Sequence, residues 1–386
     1  MRKEFLGYYR PDDRQFSDLW KQCVFVLDTS VLLNLYRYSK EARQDFFEVF
    51  DKIADRLWVP HQAASEFQEN RLSVIAEQVR MFDEVRKVLK GAQSGLTDEL
   101  EKLQLKKRHS SINTEGLLAD ISDKLELFLK NLDELEQQQP DVSDHDEIRS
   151  QLDILLKDRI GPPPLTQAYL DELYEEGKAR YEQKRPPGFL DKDKGKDTEK
   201  NSYIIGGLVF KREFGDLILW RQLIEHAKAK KIKYVVFITD DEKEDWWWVV
   251  KSRGKKRIGP RPELVDELSR KSGSKGFYMY TSELFLQHAN EYLGAQVRQQ
   301  SIEQVRDVAQ RQRKEYLIVH FPRSRSVKVD DEFNGRTEDL IELEAGRHVV
   351  SLGPPYNYTP EEQTIILKET AELDPCEVRF DLSPGA

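Results

Sequence analysis

Two apolar runs in this chain end in acid. Val24-Phe-Val-Leu27 delivers Asp28 to the end of a buried strand, and Thr29 and Ser30 then turn straight into a helix. Phe237-Ile-Thr239 repeats the arrangement and ends in Asp240 and Asp241. A carboxylate in such a place costs free energy unless a cation or a donor meets it. Glu66 lies about a turn and a half into the helix after a second short strand, and Asp216 falls in a first helical turn, just after Gly215. There its charge complements the positive helix N-terminus. In a doubly wound sheet, ligands sit beyond the carboxyl ends of the strands, so these acids are expected at one rim. Gathered in one cleft, they are stable only with Mg²⁺ or Mn²⁺, which prefer hard oxygen ligands. Such ions bind a phosphodiester, activate water for in-line attack and stabilise the leaving oxygen. Singly, each acid has a plainer role: Asp28 and Asp216 as helix caps, Glu66 as a solvated helix acid, Asp240 and Asp241 as turn closers.

No Ser–His–Asp or Cys–His nucleophile set suggests itself. His61, one residue past Pro60, is a peripheral candidate, although a histidine at a helix start is more often a structural hydrogen-bonder. Residues 251–262 carry six basic groups and no acid, directly after Trp246-Trp-Trp248. A basic, glycine-containing loop beside aromatics suits phosphate contacts and base stacking. Lys255, Lys256, Arg257 and Arg261 are its candidates. Residues 178–200, with eight Lys/Arg against five Asp/Glu, read as a mobile surface loop that could close over the same cleft through Lys184 and Arg185. Arg71 is a further candidate.

The elements that must position these groups are an α/β set. Cys23–Leu27, Leu57–Val59, Tyr234–Thr239 and Phe277–Tyr280 read as strands. Helical patterns lie between them, and one helix runs from about Ser282 to Val308. Alternation of this kind implies a doubly wound, mostly parallel sheet. Residues 1–70 and 200–300 would form it together. Residues 71–199 would be an insertion, largely an antiparallel helical hairpin carrying the Leu118, Ile121, Leu125, Phe128, Leu132, Leu135 stripe, with breaks at Gly91–Gly95 and Pro140–Asp146. Gly161-Pro-Pro-Pro164 ends the helical part. Residues 315–386 show short strand-like runs punctuated by Gly and Pro, a small C-terminal β-sandwich read as a recognition or assembly module.

The chain has 386 residues and a formal net charge of −9. It has no apolar run near the roughly 18–20 residues that span a bilayer, and its N-terminus lacks the apolar core of a signal peptide. Cys23 and Cys376 make neither a disulfide framework nor a zinc cluster, and fit a reducing cytoplasm.

Asp28-Thr-Ser-Val-Leu-Leu, Val59-Pro60 leading to Ser65-Glu66, Gly215-Asp216-Leu-Ile and Ile238-Thr-Asp-Asp241 resemble the four acidic motifs of PIN-domain nucleases, in that family's order. Leu35-Tyr-Arg-Tyr38, Pro60-His-Gln62, Glu66 to Arg71, Pro186-Pro-Gly188, Asp240 to Trp247 and Ile258 to Glu263 resemble a bacterial PIN-like subgroup with a long insertion. The likeness covers roughly residues 5–295. It implies a PIN-like fold and a Mg²⁺- or Mn²⁺-dependent nuclease, acting on RNA in preference to DNA, with a toxin-like or antiphage role open to it. Asp28, Glu66 and Asp216 would be metal ligands, with Asp241 or its neighbour Asp240 as the fourth. Thr29, Ser30 and Thr239 would support a ligand or water. An insertion far longer than in compact members leaves substrate class and access open. No membrane partner is expected, and the insertion or the C-terminal β domain offers a surface for a second copy or another protein. A haloacid-dehalogenase-type phosphotransferase would need Asp-x-Asp-x-Thr, whereas position 30 is Ser and position 32 is Leu. A non-catalytic nucleic-acid-binding or assembly scaffold on the same fold is the principal alternative.

Overall fold

The computed structural model of the protein describes residues 1, 4–9, 13–109, 111–137, 139–143, 145–195, 201–252, 255–311, 314–368, 370 and 375–383. These divide into two compact units: Met1–Leu32, Tyr38–Ala64 and Leu156–Ala386 in one, Leu33–Arg37 and Ser65–Leu155 in the other.

The first unit is built on a four-stranded parallel sheet, ordered Leu57–Trp58, Val24–Leu27, Tyr234–Ile238, Gly276–Tyr280. Val24 pairs with Val235 and Leu27 with Ile238, so Asp28 and Thr239 leave the sheet side by side. The strands are short, apolar and buried on both faces, as parallel strands covered by helices must be. Trp20, Phe25, Phe50 and Phe285 fill one side, with ring centroids 5.1 to 6.1 Å apart. Trp220, Phe237, Trp246 and Phe277 form a second aromatic group. This is the α/β doubly wound sheet expected from the alternation of elements.

Several expectations change in detail. The helix foreseen from Ser282 to Val308 is two helices, Ser282–Leu293 and Gln299–Arg311. Gly294 ends the first in a left-handed conformation (φ +58°), which a glycine adopts without steric cost. The basic stretch after the tryptophans is an antiparallel hairpin, Trp247–Lys251 against Lys255–Pro260. Ser202–Ile205 and Leu208–Lys211 form a second hairpin through Gly206-Gly207, both at positive φ, a pairing that the two glycines signal directly.

Residues 178–195 are not a mobile surface loop. The helix Gln167–Glu182 buries Leu170, Leu173, Tyr174 and Tyr181 against Phe210, Phe214 and Leu217. A 3-10 turn, Phe189–Gly195, follows with Phe189 and Asp191 buried. Residues 196–200 of the foreseen loop lie outside the described residues. Buried charge holds the segment down. Glu267 accepts Arg180 on both oxygens (2.8 and 2.9 Å), Trp220 Nε1 at 3.1 Å and Arg185 at 3.1 Å, with Lys271 2.8 Å away. Burial would raise the Glu267 pKa, but Arg180 and its other donors hold it far below the usual carboxylate range.

Toward the C-terminus, two antiparallel-rich sheets share one core. Val327, Val329, Val350, Leu352 and Leu367 of the four-stranded sheet meet Leu317, Val319, Ile341 and Val378 of the three-stranded one. Among the described residues there, only the pairing of Lys314–His320 with Cys376–Arg379 is parallel.

The second unit is helical. His61–Lys102 enters it as one helix of 42 residues, unbroken at Gly91 and Gly95. Each glycine costs about 1 kcal/mol there, too little to stop a helix flanked by strong formers. The break falls instead at Gln104, in a left-handed conformation. Glu115–Glu136 returns antiparallel: Arg86 bonds to Asp133, and Gln93 to Ser122. Val85, Leu89, Ile121, Leu125 and Phe128 line an apolar groove of about 560 Å³ between the two helices. Arg71 pairs with Asp146 at 3.0 Å, and Asp146 also accepts the Tyr36 hydroxyl, so its guanidinium is committed within this unit. Among the described residues no helix is long and apolar enough to cross a membrane.

Glu267→Ala leaves the buried Arg180 guanidinium with only Glu176 at 3.5 Å and the Pro186 carbonyl, so it should cost about 3–5 kcal/mol in denaturant unfolding. Because the Glu267 pKa is lowered on folding, this stability is present above its ordinary value of 4.5 and lost as pH falls below it. The difference between variant and wild type should therefore shrink in acid.

Candidate active site

Asp28 is held by groups from two strands. Its N–H donates to Ile238 O at 3.0 Å, extending the sheet by one bond. Its Oδ1 accepts the Thr29 N–H (2.7 Å), and its Oδ2 accepts Ser30 Oγ (2.7 Å) and Thr239 Oγ1 (2.6 Å). Burial pushes its pKa up, these hydroxyls pull it down, and the charge on Asp241 pushes it up again. The Thr29 amide and the Ser30 and Thr239 hydroxyls thus all donate to the Asp28 carboxylate.

Adjacent aspartates do different work. Asp240 accepts the Ser282 N–H (2.8 Å) and its hydroxyl (2.7 Å), at the start of the helix Ser282–Leu293. Asp241 turns the other way. Its N–H donates to Thr239 Oγ1, its Oδ1 accepts the Lys243 N–H at 3.0 Å, and its Oδ2 stands 3.3 Å from Lys243 Nζ. Its carbonyl accepts Trp247 Nε1 at 2.7 Å.

Asp216, second residue of the helix Gly215–Ala229, meets the same ammonium at 3.7 Å. Its Oδ2 is buried and has no hydrogen-bond partner. Burial raises its pKa well above the ordinary value. Lys243 opposes that rise, and Asp191, Asp241 and Asp245 reinforce it. The chain Asp28–Thr239–Asp241–Lys243–Asp216 therefore brings three of the expected acids into one cluster.

Three members of this cluster escape a reading of the sequence. Asp191 lies 2.8 Å from Lys243 Nζ. Asp245 is fully buried, accepts the Gly188 N–H (2.8 Å) on Oδ2, and leaves Oδ1 unpartnered. Gly188 (φ +88°) sits so close that a Cβ there would fall 2.5 Å from the Tyr181 hydroxyl and 3.2 Å from Asp216 Cβ. Lys243 itself is the third. Its burial would lower its pKa, but Asp241, Asp216, Asp191 and Asp245 together raise it well above normal, so it stays charged.

The remaining candidates are dispersed in role. Glu66 is half-buried on the long helix, its carbonyl accepting the Asn70 side chain, and belongs with the helical unit. His61 is half-buried, with Nδ1 unpartnered, and burial lowers its pKa. Lys184 and Lys256 are exposed, whereas Arg185 pairs with Glu267, Arg257 with Glu242, and Arg261 with Glu263. Arg257 also lies over the Trp247 ring, and Arg261 over Phe189. The side chain of Lys255 lies outside the described residues. Trp246 and Trp247 are core; Trp248 alone of the three is half-exposed, its ring 5.4 Å from that of Tyr8.

A family model described as a PIN-like domain matches residues 24–264, well over half of the chain, from the first strand to the helix that holds Glu267. The chain belongs to the PIN-like domain family. No match was found among curated proteins or among solved structures. PIN domains are generally nucleases that bind nucleic acid and use divalent metals. Among the described residues, no three His, Cys, Asp or Glu side chains stand close enough to share a metal ion. Hydroxyls occupy Asp28, and Lys243 stands between the other acids. The chemistry of the donors still suits a hard divalent cation, since all are carboxylate oxygens and Asp216 Oδ2 is buried without a hydrogen bond.

Burial first, then Asp241 and Asp191, raise Asp245 from 3.8 to about 6, against the pull of Lys243. A raised carboxylate costs stability once ionised, so this cost is absent at low pH and complete above about 6. In chelator, Asp245→Asn should gain stability over wild type progressively across that window, as read from unfolding midpoints against pH.

Proposed function

We propose that this PIN-like chain is a Mg²⁺- or Mn²⁺-dependent nuclease that hydrolyses phosphodiester bonds, in RNA before DNA. The observation that carries the reading is the meeting of Asp28, Asp216 and Asp241 near the carboxyl ends of parallel strands, with a buried carboxylate oxygen of Asp216 that accepts no hydrogen bond among the described residues. Asp216 and Asp241 would hold the metal together with Asp28. When bound, the ion would supply the charge that polarises the phosphoryl oxygens and lowers the pKa of the attacking water.

The chain's own residues do the positioning. Ser30 and Thr239 orient the Asp28 carboxylate, and the Ser30 hydroxyl also accepts the Asp240 N–H at 3.0 Å, fixing the turn that presents Asp241. Asp240 spends both oxygens on Ser282 and is read as structural. Exposed Lys256 and Lys184 supply phosphate contacts, and the half-exposed Trp248 ring offers a base-stacking surface. Such an enzyme would act in the cytoplasm, in keeping with two free thiols, and would suit a toxin-like or antiphage role.

Asp28→Asn and Asp216→Asn should each remove several kcal/mol of charge stabilisation, about 10²–10³-fold in rate, on single-stranded RNA with Mn²⁺. Circular dichroism should show both folded. Undiminished cleavage in both would leave a non-catalytic nucleic-acid-binding scaffold as the better description. Lys256→Ala should weaken RNA binding and flatten its salt dependence by about one unit of slope in a filter-binding titration.

A further inference from the structure

Lys243 occupies the middle of the carboxylate cluster. Its Nζ lies 2.8 Å from Asp191, 3.3 Å from Asp241 and 3.7 Å from Asp216. These acids come from three separate segments: the Phe189–Gly195 turn, the residues after the Tyr234–Ile238 strand, and the Gly215–Ala229 helix. At 3.7 Å the ammonium attracts Asp216 Oδ2 without hydrogen-bonding to it, and that oxygen remains buried and unsatisfied. Asp245 nearby also keeps an unpartnered Oδ1, although the residue is fully buried. Among the described residues, one monovalent cation faces four carboxylates there, so the charge is only partly offset.

We infer that Lys243 is the cluster's internal counter-ion, holding Asp191, Asp216 and Asp241 together in the metal-free protein and giving way when a divalent cation takes the same oxygens. The inference rests on the metal-binding reading above. The local geometry permits the exchange. The Lys243 main chain stays tied to Asp241 Oδ1 through its own N–H, so only the side chain has to swing away from Oδ2. That side chain is 20% exposed, which leaves it a way out to solvent. Lys243 is thus a positioning residue that sets how much metal the protein needs. Asp191 gains a role through it, since its carboxylate ties the Phe189–Gly195 turn to the ammonium.

Isothermal titration of the full chain with Mn²⁺ tests this. Lys243→Met keeps the stem but removes the charge. It should bind Mn²⁺ at least about tenfold more tightly than wild type, because a competing unit charge a few ångströms from the same oxygens is gone. It should also unfold at a lower temperature in chelator, with the deficit closing as Mn²⁺ is added. Lys243→Arg should stay close to wild type. Affinity in Lys243→Met equal to or weaker than wild type overturns the inference and leaves the metal site standing. No Mn²⁺ binding by wild type or either variant overturns both. Should Lys243→Met not fold, acetylation of Lys243 in wild type, followed by mass spectrometry, decides the matter: reactivity must rise severalfold on Mn²⁺ addition, and unchanged reactivity at saturating Mn²⁺ rejects the displacement.

Discussion

Like charges in a poorly solvated space are the constraint around which this protein's PIN-like domain is arranged. Two carboxylates about 4 Å apart repel by roughly 4 kcal/mol at the effective dielectric of a protein. Here Asp191, Asp216, Asp241 and Asp245 all act on one another through Lys243. Such a group assembles only if each oxygen is either met or left waiting for a cation. Asp28 is met by two hydroxyls and an amide, Asp245 by the amide of Gly188, and Asp191 by the ammonium. Asp216 Oδ2 and Asp245 Oδ1 are the oxygens that wait.

That constraint explains why the segment from Arg180 to Gly195 is folded down. Its composition is that of a solvated tract. It nevertheless contributes Asp191 and the Gly188 amide to the cluster, and Glu267 secures it from the other side through Arg180 and Arg185. A charge on the acidic side is stabilised by a lysine, and a charge on the scaffold side by arginines. Glycine at position 188 is required by both, since any side chain would strike Tyr181 and Asp216.

The parallel sheet and three of its acids could be read from the chain because burial and chemistry point the same way there. An apolar strand ending in Asp28, or a helix starting with Asp216, has few plainer explanations when several occur in order. Asp191, Lys243 and Asp245 were hidden for the opposite reason. Each sits in a run dense in charge, and such runs ordinarily face water. Only the three-dimensional arrangement shows that this one turns inward. The glycines at 91 and 95 mislead in a related way: they weaken a helix without ending it, because neighbouring residues carry the helix across. Asp240 and Asp241 could not be separated by spacing, since which of them faces the cluster depends on Ser282, forty residues away in the chain.

Trp247 carries a practical consequence. Its indole N–H is bound to the carbonyl of Asp241, its ring is buried, and Arg257 lies 5.3 Å from the ring centroid. An excited indole responds to fields in its plane, and this one touches the backbone of a residue whose carboxylate faces the shared ammonium. Cation entry should therefore alter its emission, giving the molecule a native optical signal of occupancy that needs neither label nor substrate.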